Sequence, residues 1–231
     1  MSRRRAILAE MGLAPVWRLR KPPAPEQREP EREPERRLPA GGWVQLKQAV
    51  SGCTQCGLHK TRTQTVFGVG DENADWMLIG EAPGAEEDRL GDPFVGQAGR
   101  LLDNMLAAID LHRTRKVYIA NVLKCRPPGN RNPEPSEALA CEPYLHRQIE
   151  LIRPKLIVAL GRVAAQNLLA TDAAIASLRG RVHRYRGTPL IVTYHPAYLL
   201  RSLPDKAKAW EDLCFAVRVM RDLQSGSAAS T

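Results

Sequence analysis

The sequence predicts an α/β fold, a three-layer α/β/α arrangement around a central, mainly parallel sheet of four strands. Three observations carry that expectation. Short apolar runs of strand length alternate with segments that repeat apolar residues at helical spacing, the pattern of parallel strands joined by crossover helices. Each run stops at a break rich in Gly, Pro or Asn. The chain has 231 residues, 43% of them hydrophobic, enough for one sizeable core but hardly for two.

In chain order, Trp43 to Val50 reads as a helix. The run Trp76–Met77–Leu78–Ile79–Gly80 reads as a buried strand entering a Gly/Pro-rich turn. Gln97 to Asp110 has helical spacing at Leu101, Leu102, Met105, Leu106 and Ile109. Val117 to Val122 is the second strand, and Ser136 is the expected cap of a helix reaching about Ile152. Lys155 to Leu160 is the third strand, stopped by Gly161 and followed by a helix. Leu190 to Tyr194 is the fourth, and Asp205 to Leu223 the last helix. Ligands of such sheets bind outside the carboxyl ends of the strands. All four ends carry suggestive segments here: GEAPG, NVLKC, LG and YHPAY.

This domain is expected over residues 43–231. Before it, residues 20–42 hold six prolines between Pro22 and Pro39, alternating charges and almost nothing apolar. Such a stretch buries too little to offset its ordering entropy and reads as a disordered linker. In the tail, residues 1–19, Ile7, Leu8, Met11 and Leu13 can line a short helix, either to dock on a protein partner or as a loose terminus. No apolar run approaches the ~20 residues that span a bilayer. MSRRRAILAEMGLAPVW is a poor secretory signal, so a cytoplasmic, membrane-free protein is expected, and a monomer.

The net charge of +9 suits a polyanionic partner, but residues 1–40 hold ten Arg and Lys against six Glu, leaving only +5 for the remainder. Five cysteines in an intracellular chain argue against a disulfide framework. Cys53-x-x-Cys56 lies in a turn-like segment, Cys125 follows a strand and Cys141 lies on the next helix. Four such thiols can converge on one metal site, and spacing alone fits zinc, or reduced buried thiols, as well as iron and sulfur. Cys214 reads as a core residue on an apolar helical face.

Other chemistry sits at the strand ends. Gly80, Ala82 and Gly84 let a ligand approach the backbone, while Glu81 and Glu87 can orient water, or the acidic turn simply caps a helix. His195 can hydrogen-bond a developing anion, or serve structure. Phe94, one of three phenylalanines, can stack a base or fill the core. Asn121 offers a donor and an acceptor to a pyrimidine edge, or satisfies local backbone.

The segments CTQCGLHKTR, GEAPGAEEDRLGDPFVGQAGRLLD, NVLKCRPPGNRNPEPSEALAC and HPAYLL, in that order, resemble the family 4 (iron–sulfur) uracil-DNA glycosylases from about Gly52 to Leu223. The resemblance implies the uracil-DNA glycosylase fold and a [4Fe–4S] cluster on Cys53, Cys56, Cys125 and Cys141. It implies uracil stacked on Phe94 and read by Asn121, with His195 as the motif histidine and Glu81 and Glu87 as acidic positions of the first motif. Release of uracil from DNA would leave an abasic site without strand cleavage. The superfamily's best-known branch has a water-activating aspartate where this chain has Ala82, which leaves Glu81 and Glu87 as candidates for the base; Glu87 alternatively shapes the pocket against the thymine methyl. No arginine-rich insertion follows Lys124, so covalent trapping through a histidine is not expected. Tyr198–Leu199–Leu200–Arg201 can wedge into the minor groove or pack at a helix start, and Lys60, Arg126 and Arg131 can meet phosphates. Two other readings stand beside this one: a non-catalytic four-cysteine zinc module binding nucleic acid, and a glycosylase of the same superfamily preferring another base such as hypoxanthine.

Overall fold

The computed structural model describes residue 10 and residues 41–228. The expected tail and linker, residues 1–42, therefore lie almost wholly outside the described residues. Among the described residues six strands form one sheet: β1 (Val69–Gly70), β2 (Trp76–Gly80), β3 (Val117–Asn121), β4 (Leu156–Leu160), β5 (His183–Tyr185) and β6 (Thr188–Thr193). Their order is β1-β3-β2-β4-β6-β5. The four strands expected from the sequence are the parallel centre, β3-β2-β4-β6. Every residue of β2, β3 and β4 is buried, as strands covered on both faces require.

Two antiparallel edge strands, β1 and β5, extend the expected four. With two and three residues they are too short to show a period. The β5–β6 hairpin turns through Arg186 and Gly187, both at positive φ (46° and 89°), the conformation a tight two-residue hairpin needs. Arg-Gly is a weak version of the usual signal, because Arg tolerates positive φ poorly.

Among residues 41–228 eight α-helices surround the sheet: α1 (Trp43–Ser51), α2 (Ala85–Leu90), α3 (Gln97–Ala107), α4 (Pro135–Ile152), α5 (Arg162–Leu169), α6 (Ile175–Leu178), α7 (Pro196–Leu199) and α8 (Asp205–Ala228). Alternation along the strands sends Met77, Ile79, Tyr118, Ala120, Ile157 and Ala159 into one core with Val50, Leu145, Ile149 and Ala164. Trp76, Leu78, Val117, Ile119, Leu156 and Val158 meet Leu102, Leu106, Ala216 and Met220 on the other face. This is the expected three-layer α/β/α fold. One start differs. The N-cap of α4 is Glu134, not Ser136, because Pro135 is pre-set for the first helical position; the backbone N–H of Glu134 donates to Glu137 at 2.9 Å.

Candidate active site

The carboxyl ends of the parallel strands bring the expected residues together. Gly80 and Asn121 are register partners at the last rung of β2 and β3. Asn121 is 3% exposed, and its side-chain oxygen has no hydrogen-bond partner. A Cβ on Gly80 would collide with that oxygen and stand 2.7 Å from Cζ of Phe94. Glycine therefore lets the Asn121 amide and the Phe94 ring edge meet on one spot of the β2 backbone, the candidate base slot. Burying an acceptor unpaired is unfavourable, so a site that retains one is shaped for a donor that arrives with a ligand.

Phe94 is buried with φ at 56°, a conformation that is a true outlier for a bulky residue and one found disproportionately at functional sites. Its surroundings over-determine it. Arg113 donates to the Phe94 carbonyl at 3.0 Å and is itself held by Asp103 at 2.7 Å. Gly99 lets that carbonyl lie where any Cβ would clash. Glu87 accepts from the backbone N–H groups of Gly84 (3.1 Å), Val95 (3.1 Å) and Gly96 (3.3 Å), clamping the Phe94 loop to the first motif. That use of both oxygens argues against Glu87 as a free base. Glu81 differs: burial raises its carboxyl above the usual range against the opposing pull of Arg162. Ala82 packs against the core beside it.

His195 caps α7, with its ring centroid 5.5 Å from that of Phe94 and the planes 30° apart. Gly161, at φ 94°, makes room for it, since a Cβ there would stand 2.8 Å from the His195 Cβ. The Ala197 N–H donates to Nδ1 at 3.2 Å. That bond requires a lone pair on Nδ1, so the neutral ring carries its proton on Nε2. Burial, with the Arg201 charge, pushes the imidazole down to about 4, so the neutral form prevails at physiological pH.

Cys53, Cys56, Cys125 and Cys141 line one pocket with Val50, Leu58, Leu123 and Tyr144. Cys125 feels Cys56 and Cys53, and Cys141 feels Cys125 and Cys53. Burial pushes the Cys141 thiol up to about 12, and Lys124 opposes this. Arg62 donates to the Cys125 sulfur at 3.1 Å, and the Lys124 N–H to the Cys141 sulfur at 3.3 Å. Among the described residues, no group of three or more His, Cys, Asp or Glu side chains could hold a single metal ion. Cys214, expected in the core, is half-buried.

Other expected contacts divide. Leu200 is 43% exposed, but Leu199 is 1% exposed, and Tyr198 stacks on Tyr194 at 5.3 Å while donating to Asp205. Of that segment Leu199 alone is buried; Tyr198, at 39% exposure, stays at the surface with Leu200 and Arg201. Arg131 forks onto Glu137 at 2.9 and 2.6 Å, and Arg126 bonds Asn130 at 2.7 Å. Gly99, Arg113, Lys124 and Gln148 carry little local signal, because their roles depend on neighbours distant in the chain.

The family model described as the Uracil DNA glycosylase superfamily matches residues 67–214. The chain is 50% identical over 163 residues to the Type-4 uracil-DNA glycosylase of Archaeoglobus fulgidus, covering 67% of this chain and 81% of that protein. It is 44% identical over 159 residues to that of Thermotoga maritima, covering 68% and 82%. A Type-5 uracil-DNA glycosylase of Pyrobaculum aerophilum is 34% identical over 150 residues, covering 56% and 64%. Strand ends, slot and histidine thus lie within the matched segment, and the chain belongs to the uracil-DNA glycosylase superfamily, among its type-4 members.

Proposed function

We propose that this protein hydrolyses the N-glycosidic bond of deoxyuridine in DNA, releasing uracil and leaving an abasic site. The observation that carries the reading is the buried, unpartnered oxygen of Asn121 beside the Phe94 ring. The target base lies inside a duplex, so it is flipped out or taken from single-stranded DNA. Exposed Leu200, next to the site, fills the gap in the stack. In the slot, Asn121 accepts from uracil N3–H and donates to O4, a pattern that cytosine reverses. Phe94 holds the ring by stacking.

Bond cleavage leaves positive charge on the sugar and negative charge on the base. The Nε2–H of neutral His195 donates to O2, a contact that strengthens as the anion forms. Glu81, half-buried, orients the water that attacks C1′, and its ionised form stabilises the sugar cation. No lysine acts as a nucleophile on this reading, so no Schiff base forms and the strand stays intact.

The four cysteines are the ligands of a [4Fe–4S] cluster on this reading. They share one apolar pocket, and two of their sulfurs accept N–H bonds, as cluster thiolates do. Such a cluster, when bound, supplies a rigid crosslink between chain segments and a one-electron couple. Cys53 and Cys56 anchor the segment after α1, and Cys125 and Cys141 tie it to the loop beyond Asn121 and to α4.

The test is incubation with end-labelled DNA carrying one uracil, single-stranded or opposite guanine, with a thymine control, followed by hot alkali. Cleavage at uracil alone, and only after alkali, is expected. No product from protein with an intact cluster would overturn the reading in favour of another base or a binding role.

A further inference from the structure

Lys124 is among the largest fully buried side chains of the protein, at 1% exposure. Its ammonium donates to the backbone carbonyl of Asn121 at 2.9 Å and to the Gln148 side-chain oxygen at 2.6 Å. Gln148, wholly buried on α4, donates in turn to the Phe67 carbonyl at 2.9 Å and the Tyr118 hydroxyl at 3.3 Å. Both acceptors of the ammonium are neutral oxygens. Among the described residues no carboxylate pairs with it, while its own backbone N–H donates to the Cys141 sulfur at 3.3 Å and Cys125 is the next residue. A buried cation persists only where an opposite charge compensates it.

We propose that Lys124 is the buried counter-ion of the four-thiolate site and the strut through which that site holds Asn121 in its base-reading position. This rests on the [4Fe–4S] reading above. A bound cluster brings thiolates to Cys125 and Cys141. Their charge keeps the ammonium in place, and the ammonium fixes the Asn121 carbonyl, one residue's backbone away from the amide that meets uracil. Lys124 touches neither substrate nor reacting atoms and is a positioning residue. It gives the metal site a route to base recognition besides general stability.

The experiment compares wild-type, Lys124→Met and Lys124→Arg holoenzymes by the reduction potential of the cluster, followed by EPR during redox titration, and by the inhibition constant of free uracil. Removing a nearby positive charge disfavours the more negative, reduced cluster. Lys124→Met is therefore expected to shift the potential to more negative values and to weaken uracil binding roughly tenfold. Lys124→Arg is expected to restore the potential. A Lys124→Met protein with its cluster intact and either quantity unchanged overturns the proposal. Should Lys124→Met yield no soluble holoenzyme, Gln148→Glu sets a carboxylate against the same ammonium; a negative shift supports the proposal and an unchanged potential overturns it. Wild-type protein without cluster absorbance sinks the cofactor reading as well, which separates the two failures.

Discussion

The side-chain oxygen of Asn121 and the missing Cβ of Gly80 compete for one volume: only glycine at position 80 lets the buried Asn121 acceptor lie against β2. Gly80→Ala should therefore displace the Asn121 amide and the Phe94 ring edge and abolish uracil excision, with some loss of stability because Phe94 belongs to the core. Loss of excision with an unchanged circular-dichroism spectrum and a lowered melting temperature is the expected result. Asn121→Ala should lower kcat/KM by about 100-fold through the lost hydrogen bonds to the base.

Activity should follow the neutral form of His195. With its imidazole held at about 4 by burial and the Arg201 charge, His195 should cause no loss of excision between about pH 8 and pH 5 and a loss as pH approaches 4. The raised Glu81 carboxyl sets a separate acid limb, which Glu81→Gln removes. A decline centred near 6.5 in the pH profile of kcat that persists in Glu81→Gln would contradict this. The same shift affects stability. Between about 4 and 6.5 the unfolded chain binds the proton and the folded protein does not. Stability from this group is thus full above about 6.5 and lost as pH drops towards 4, by about 3 kcal/mol in total. His195→Asn should remove the effect from both profiles and lower kcat by about 10²-fold or more, with KM little changed.

Glu87 acts as a clamp on this geometry, and the distinction from a base is measurable. Glu87→Gln replaces an oxygen by an amide donor that faces backbone N–H groups, so at least one of three bonds is lost. The Phe94 loop should loosen, which raises KM and the inhibition constant of free uracil by about tenfold while kcat changes less. A kcat collapse at constant KM would mark Glu87 as chemically engaged instead.

Cys141→Ala should bleach the visible absorbance of the protein and lower its solubility and melting temperature, because the crosslink joining α4 to the Cys53–Cys56 segment is broken. A colourless variant with wild-type stability and activity would refute a structural role for the cluster. Removing iron from the wild type with a chelator under oxidising conditions should reproduce the effect.

The sequence by itself determined the layers and the chemistry on offer. β2, β3 and β4 are legible as runs such as WMLIG because a strand covered on both faces needs nothing but apolar residues, and α3 is legible because its buried face repeats at the helical period. The end of each parallel strand announced Gly80, Asn121 and His195, and quoted motifs marked Phe94 and the four cysteines. The tertiary structure alone decided what those residues can do. The edge strands β1 and β5 are too short to carry a period and exist through pairing with β3 and β6. The roles of Glu87, Gly99, Arg113 and Lys124 are relations to atoms elsewhere in the chain, 8 residues away for Val95 and 24 for Gln148, and no local pattern encodes them. The proton on His195 is assigned by a backbone N–H two residues on and by burial among distant side chains. Periodicity records which face of an element is buried; it does not record which partner waits there, and that partner sets the charge, the tautomer and the space left for a base.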